Sequence, residues 1–177
     1  CASVINYLVD INNAANDPSA ILSIWQAAET GIHPVETLLN FPSDFPGWWD
    51  DFLYNYFIGD VYPNVNTNFG KYYFNTEKGK TFLFAVKSKN DTEKQFDHTG
   101  MDLSGQVYKI ALESNDLTQN AKCHIALEGG NAKLYVFRYN PEQSQTQLLD
   151  EVEVNGQVVV SDLKDFKDQQ HSILLLL

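Results

Sequence analysis

Residues 133–139, KLYVFRY, decide the fold class of this chain. From position 134 onward, the even positions carry Leu, Val and Arg, and the odd positions carry Tyr, Phe and Tyr. Side chains that alternate with a period of two are typical of a β-strand. Both sets of side chains are bulky, so the segment is predicted to be a central strand of a sheet.

Similar short segments lie on both sides of this strand, and turn signals separate them. Residues 75–79, Gly129-Gly130 and Asn155-Gly156 are predicted hairpin turns, and Asn-Gly is the strongest of these signals. The other predicted strands cover residues 71–74, 81–86, 107–112, 122–127, 148–154, 157–160 and 171–177. About eight strands at hairpin spacing indicate an antiparallel β-sandwich of the jelly-roll or immunoglobulin-like type.

The spacing of apolar residues changes near Pro63. Upstream of this point apolar residues recur at helical spacing, which predicts about four short helices. The fourth follows Pro46, carries an aromatic stripe and ends at Gly59. The predicted fold class is therefore α+β, with a helical subdomain over residues 1–63 packed on a β-sandwich over residues 64–177. A linker from a preceding domain is the alternative interpretation of the helical segment.

The charge and composition of the chain limit the classes of molecule that it can bind and the compartments in which it is expected. The chain has 12 basic and 23 acidic residues, a formal net charge of −11, and Arg138 as its only arginine. Nucleic acid is excluded as a partner because phosphate binding needs a basic stripe. No transmembrane segment is predicted, because the longest apolar run, residues 173–177, is far shorter than the roughly 20 residues that span a bilayer. The few cysteines, the single arginine and the acidity indicate an exported protein that is extracellular, periplasmic or at the cell surface.

The two cysteines, Cys1 and Cys123, leave several hypotheses open. A chain that begins with cysteine resembles a bacterial lipoprotein after removal of its signal peptide, which predicts a lipid anchor at Cys1. A fragment of a longer protein would also begin in this way, and a Cys1–Cys123 disulfide is a further alternative. Strand alternation predicts Cys123 as a small buried hydrophobe and turns His124 to the opposite face, so these neighbours make a poor catalytic dyad.

No catalytic residue is predicted. No serine lies in a G-x-S-x-G motif, and Glu151 and Glu153 share a strand face for which a solvated role is favoured over catalysis. Zinc-binding spacing is missing among the four histidines, which are His33, His98, His124 and His171.

Two binding hypotheses remain. Oxygen ligands in the loops suit a structural calcium ion, although the same residue types also form turns. The candidate calcium ligands are Asp97, Asp102, Asn115, Asp116, Asp162 and Asp165. Trp48 and Trp49 are a candidate sugar-stacking platform, although their helical spacing favours a hydrophobic face packed on the sheet. No other cofactor is predicted.

The β-rich body resembles the jelly-roll accessory domains, of the pre-peptidase C-terminal type, that follow catalytic domains in secreted bacterial hydrolases. The segments that carry this resemblance are residues 106–112, 132–139, 158–163 and 171–177. The resemblance implies a non-catalytic accessory domain, and it carries over no calcium ligand residue by residue. The helical subdomain over residues 1–63 has no counterpart in that family.

The leading functional hypothesis is a non-catalytic binding or scaffolding module of an extracytoplasmic bacterial protein. Its expected partner is an adjacent domain of the same polypeptide, a surface protein or a glycan. The alternatives are a secreted hydrolase whose site is assembled from distant residues, and a small secreted partner-binding or inhibitor protein.

Overall fold

The computed structural model describes residues 22, 26, 45–58, 81–88, 93–97, 105–143 and 145–177. The chain divides into two compact units, Cys1–Asn68 and Phe69–Leu177. Among the residues in these described ranges, no helix is long and apolar enough to cross a membrane.

In the first unit, helix α1 (Phe45–Ile58) confirms the fourth predicted helix. Phe52 and Phe57, five residues apart, are both buried, and the Trp49 ring lies 5.3 Å from that of Phe52 between centroids. Trp49 and Phe52, three positions apart, share one face of the helix and their rings pack together. That this face packs on the sheet stays a prediction. Leu22 and Gln26 are also helical; the rest of the three preceding predicted helices lies outside the described residues.

The described part of the second unit contains seven strands and one helix. In chain order they are β1 (Thr81–Val86), β2 (Val107–Leu112), β3 (Cys123–Ala126), β4 (Leu134–Asn140), β5 (Gln145–Val152), β6 (Gln157–Val160), α2 (Leu163–Asp168) and β7 (Ser172–Leu176). Five strands form one sheet in the order β1-β2-β7-β4-β5, and β3 pairs with β6 in a second, two-stranded sheet.

The predicted α+β class with an antiparallel sandwich of about eight strands is wrong. The described residues form a mostly β fold with a mixed sheet, because β1 and β2 run parallel, from Thr81 opposite Val107 to Val86 opposite Leu112. A parallel pair cannot be joined by a tight hairpin and needs a longer crossover connection. Here residues 87–106 make that connection, and the predicted partner of β1, residues 71–74, lies outside the described residues.

Two predicted hairpins are also wrong, because each turn joins strands of different sheets. Gly129-Gly130, with φ of 70° and 78°, leads from β3 in the small sheet to β4 in the large one. Asn155-Gly156 leads from β5 in the large sheet to β6 in the small one. Turn residues mark where the chain changes direction, but the partner of the next strand depends on which face must be buried.

Backbone hydrogen bonds connect the Asn155-Gly156 turn to Leu127, the residue that follows β3. Asn155 is left-handed at φ 62°, and the Gly156 N–H donates to the Glu153 carbonyl oxygen at 2.8 Å. The Asn155 N–H donates to the Leu127 carbonyl at 2.8 Å, and the Leu127 N–H donates to the Gly156 carbonyl at 3.1 Å. The turn is therefore a corner between the sheets, and it extends the β3–β6 pairing by one step.

Among the described strands, β4 and β5 form the one hairpin between consecutive strands. The side-chain oxygen of Asn140 accepts the backbone N–H groups of Glu142 at 3.0 Å and Gln143 at 3.3 Å. An asparagine that holds the backbone two and three residues ahead is a recurrent way to start a turn. As a result, β5 starts at Gln145, earlier than the predicted residue 148.

The core lies between the five-stranded sheet and a second layer made of β3, β6 and α2. One face of the large sheet supplies its side chains through β2, β4, β5 and β7, and the second layer supplies Ile125, Val160, Leu163 and Phe166. The predicted central position of β4 is confirmed, since it lies between β7 and β5 and carries the fully buried Phe137. Several residues of the opposite sheet face are also buried, namely Val107, Tyr135, Phe137, Tyr139, Leu174 and Leu176.

Candidate functional site

The most specific grouping of polar side chains in the described residues surrounds Arg138. Its Nε donates a 2.8 Å hydrogen bond to Nδ1 of His171, and its Nη2 donates a 2.8 Å bond to Oε1 of Gln169. The guanidinium carbon lies 4.4 Å from the centroid of the Phe166 ring. We call these four residues the Arg138 cluster. Stacking on an aromatic face together with two donated bonds is the use to which arginine is best suited.

Strand pairing and a helix end bring these residues together. Arg138 lies opposite Ile173 in the β4–β7 register, and His171 precedes Ile173 by two residues, which places it on the same face. Gln170, two residues beyond the last residue of α2, is left-handed at φ 58°. Its N–H donates to the Lys167 carbonyl oxygen, and the His171 N–H donates to the Phe166 carbonyl oxygen. This pair of bonds is the Schellman arrangement that closes a helix, and it directs the chain from α2 straight into β7.

The hydrogen bond fixes the protonation state of His171. A guanidinium can only donate, so Nδ1 of the imidazole must carry a lone pair and the ring proton must sit on Nε2. Burial lowers the pKa of His171 below its ordinary value, and the positive charge of Arg138 lowers it further, while Glu142 acts in the opposite direction. His171 is therefore held neutral, with its basic nitrogen already engaged.

A second polar group joins β4 and β5 at the surface. Lys133 Nζ lies 2.6 Å from Oε2 of Glu151 and 3.8 Å from Oε1 of Glu153, and it lies 5.2 Å from the centroid of the Tyr135 ring. The hydrogen bond that Lys133 donates to the Glu151 carboxylate raises the pKa of Lys133. The two carboxylates that share a face in the sequence are thus exposed partners of one lysine.

Five of the six calcium candidates are in the described residues, and all five are exposed. Asn115 Oδ1 accepts a 2.7 Å bond from Lys167 Nζ, and Asp97 Oδ1 accepts a 3.0 Å bond from Gln95. The Asp116 N–H donates to the buried Ser114 hydroxyl at 3.1 Å.

The remaining candidates lie at α2. Asp162 precedes the helix at φ 60° without a capping side-chain bond, and Asp165 is in the first turn. Asp102 lies outside the described residues. Within the described ranges, no three His, Cys, Asp or Glu side chains form a group that could hold a metal ion.

The other predicted site residues are dispersed. Trp49 is half-buried, and nothing is described of the Trp48 side chain. Cys123 is a free, half-buried thiol whose pKa is raised by burial, and it packs with Ile125 on the core side while His124 is exposed on the opposite face. That arrangement of Cys123 and His124 confirms the strand alternation. Cys1, His33 and His98 lie outside the described residues.

Sequence reasoning missed the Arg138 cluster as a unit. The available signal was a solitary arginine in the middle of an apolar strand, where a charged side chain needs partners. His171 is 33 positions away, and its pairing with Arg138 depends on β7 inserting next to β4. Helix α2 was also missed, because six residues give too short a pattern to show a helical period.

Comparison of this chain with protein-family models, curated proteins and solved structures finds no match. The resemblance to pre-peptidase C-terminal domains therefore stays a prediction. The antiparallel sandwich that it implied is replaced by the mixed sheet described above.

Proposed function

We propose that this chain is a non-catalytic binding or scaffolding module of an extracytoplasmic bacterial protein. The observation that carries the proposal is the Arg138 cluster. Arginine and histidine are common in catalytic sites, but here Arg138 and His171 are hydrogen-bonded to each other. A general base needs a free lone pair aimed at substrate, whereas Nδ1 of His171 receives the Arg138 N–H.

Other charged side chains are engaged in the same way. Lys133 bridges to Glu151, and Lys164 Nζ lies 2.7 Å from Oδ2 of Asp168 along α2. The first contact links the residue before β4 to β5, and the second lies within α2. These charged side chains thus stabilise the surface of the second unit, which suits a module that binds a partner through that surface.

The outer face of the β3–β6 sheet supplies a candidate binding surface. His124 lies opposite Val159 in the strand register, and both are exposed, with 44% of Val159 accessible. Ala126 and Gln157 form the next exposed pair on this face. A short strip of mixed polar and apolar side chains suits contact with a protein surface, either an adjacent domain or a separate surface protein.

A binding measurement tests the proposal. The labelled chain is titrated against cell envelopes of a bacterial host, alongside Val159→Lys. Leu149→Lys on β5 is the matched control, because Leu149 is also an exposed apolar residue. We expect saturable binding that Val159→Lys weakens at least tenfold, about 1.4 kcal/mol, and that Leu149→Lys leaves unchanged. Absence of saturable binding, together with turnover of an ester, peptide or glycoside substrate by the purified chain, would overturn the proposal in favour of a hydrolase.

A further inference from the structure

The Asn155-Gly156 corner carries a chemical liability that is independent of the proposed function. Asn155 is exposed, it is left-handed at φ 62°, and glycine follows it. We propose that Asn155 is a site of spontaneous deamidation, and that the isoaspartate product releases β3 from the corner.

The reaction needs only the chain and water. The Gly156 amide nitrogen loses its proton and attacks Asn155 Cγ, forming the N–Cγ bond of a five-membered succinimide. The Cγ–Nδ2 bond breaks, and Nδ2 leaves as ammonia after taking up a proton. Water then opens the ring at one of its two carbonyl carbons. Opening at Cγ gives aspartate, and opening at the backbone carbonyl gives isoaspartate, in which the main chain runs through Cβ.

The residue that follows the asparagine decides whether the nitrogen can be reached. Glycine has no side chain to crowd the attack, and the corner requires this: a Cβ on Gly156 would lie 2.8 Å from the Glu153 carbonyl oxygen. Packing therefore keeps glycine at the position that most favours the reaction. Asparagine is among the residues that limit the chemical lifetime of proteins.

The native corner also slows the reaction. The Gly156 N–H donates to the Glu153 carbonyl at 2.8 Å, so the attacking nitrogen must first leave that hydrogen bond. Deamidation of Asn155 is accordingly slower in the folded chain than in the unfolded chain. The ratio of the two rates reports how often the corner opens.

The two products differ in their effect on the fold. The Asn155 N–H and the Gly156 carbonyl oxygen are both hydrogen-bonded to the backbone of Leu127. The Asn155–Gly156 peptide bond, where the reaction takes place, lies between these two groups. Aspartate leaves the spacing between these two groups unchanged. Isoaspartate adds a carbon to the main chain between them, so the two bonds to Leu127 cannot both be kept.

Peptide mapping by mass spectrometry tests the site. Trypsin cuts after Arg138 and Lys164, which gives a peptide with two asparagines, Asn155 and Asn140. Pro141 follows Asn140 and has no amide hydrogen to lose, so Asn140 is an internal control. After incubation of the intact chain at mildly alkaline pH, we expect the mass gain in this peptide to lie at Asn155, and to appear sooner in urea. A mass gain at Asn131, which Ala132 follows, that matches or exceeds the one at Asn155 would overturn the proposal.

Two variants distinguish the deamidation of Asn155 from its effect on the stability of the fold. Asn155→Gly suits φ 62° and has no amide to lose, so it is expected to fold, to give no mass gain at position 155 and to keep its melting temperature on incubation. Asn155→Asp mimics the harmless product and is expected to melt within about a degree of the freshly purified chain. Incubated wild type enriched in isoaspartate is expected to melt lower than both. Equal melting temperatures for the isoaspartate form and Asn155→Asp would show that the corner does not depend on its spacing.

Discussion

Arg138 and His171 are joined by a 2.8 Å hydrogen bond from guanidinium Nε to imidazole Nδ1, across two paired strands and 33 positions of sequence. The bond lies where α2 ends and β7 begins. Arg138 also stacks on Phe166 and donates a hydrogen bond to Gln169. This one side chain of β4 therefore contacts both the end of α2 and the residue that leads into β7. A partly buried charge with several fixed partners is costly to disturb, since removal of any one leaves the others unsatisfied.

Arg138→Lys is predicted to lower the free energy of unfolding by about 1–3 kcal/mol. Lysine keeps the positive charge but has no planar fork, so it cannot bond His171 and Gln169 together while stacking on Phe166. Urea denaturation followed by circular dichroism measures the loss. Lys164→Gln is the matched control, because its ion pair with Asp168 is exposed and is worth less than about 0.5 kcal/mol. Equal losses for the two variants would contradict a special role for the junction.

The stability of the fold is predicted to depend on pH through His171. Burial and Arg138 lower its pKa in the folded state, while the unfolded chain takes up the proton near pH 6.5. Between these two pKa values the unfolded state binds more protons, so the contribution of His171 is fully present above about pH 6.5 and is lost as the pH falls towards the folded pKa.

The difference in unfolding free energy between wild type and His171→Asn separates the contribution of His171 from that of the carboxylates, which titrate in both chains. Unfolding free energies are measured for both chains from neutral pH to mildly acidic pH. We expect the gap between them to shrink on acidification, and the NMR titration of the His171 ring to have a midpoint below the ordinary histidine value of about 6.5. A midpoint for His171 at or above that ordinary value would contradict the assignment.

Phe137→Ala is predicted to cost about 3–5 kcal/mol of stability. Phe137 is completely buried in β4, opposite Leu174 of β7. Leu149→Ala on β5 is the control, since 37% of Leu149 is exposed, and it is expected to cost less than about 1 kcal/mol. Chemical denaturation of the two variants measures the difference. A cost for Phe137→Ala no greater than that of the control would mean that β4 is not an interior strand.

The alternation of β1 gives a test of its place beside β2. Leu83 is 61% exposed, whereas Phe84 packs against the core opposite Ile110. Leu83→Lys is predicted to change the free energy of unfolding by less than about 0.5 kcal/mol. Phe84→Lys is predicted to unfold the second unit or to lower its melting temperature sharply, because a charge would enter the core unpaired. If both variants melt alike, the register shown for β1 is wrong.

The sequence predicted individual elements better than their partners. Residues 133–139 were identified as a central strand because a strand buried on both faces has bulky residues at every position, and β4 confirms this. The helix ending at Gly59 was identified because its turn residues and aromatic spacing are local signals. Such signals depend on neighbours in the chain, which a single sequence displays directly.

Pairing was predicted wrongly because it depends on distant residues. The Asn155-Gly156 signal correctly marks a tight turn, but its hydrogen bonds go to Leu127 and to Glu153, so the next strand joins β3. Likewise β7 inserts between β2 and β4, which separates β4 from the strands that precede it in sequence. The Arg138 cluster follows from that insertion: the solitary arginine indicates that partners are needed, but no local pattern identifies them.

We propose that Arg138 and His171 stabilise the fold and take no part in catalysis. Thermal unfolding and turnover of ester, peptide and glycoside substrates are measured side by side, for the full chain and for His171→Leu, which removes the acceptor of the Arg138 hydrogen bond. We expect His171→Leu to lower the melting temperature by several degrees, at about 2–4 °C for each kcal/mol lost, and neither protein to turn over substrate above a buffer blank. Turnover by the wild type that disappears in His171→Leu while the melting temperature stays the same would contradict it.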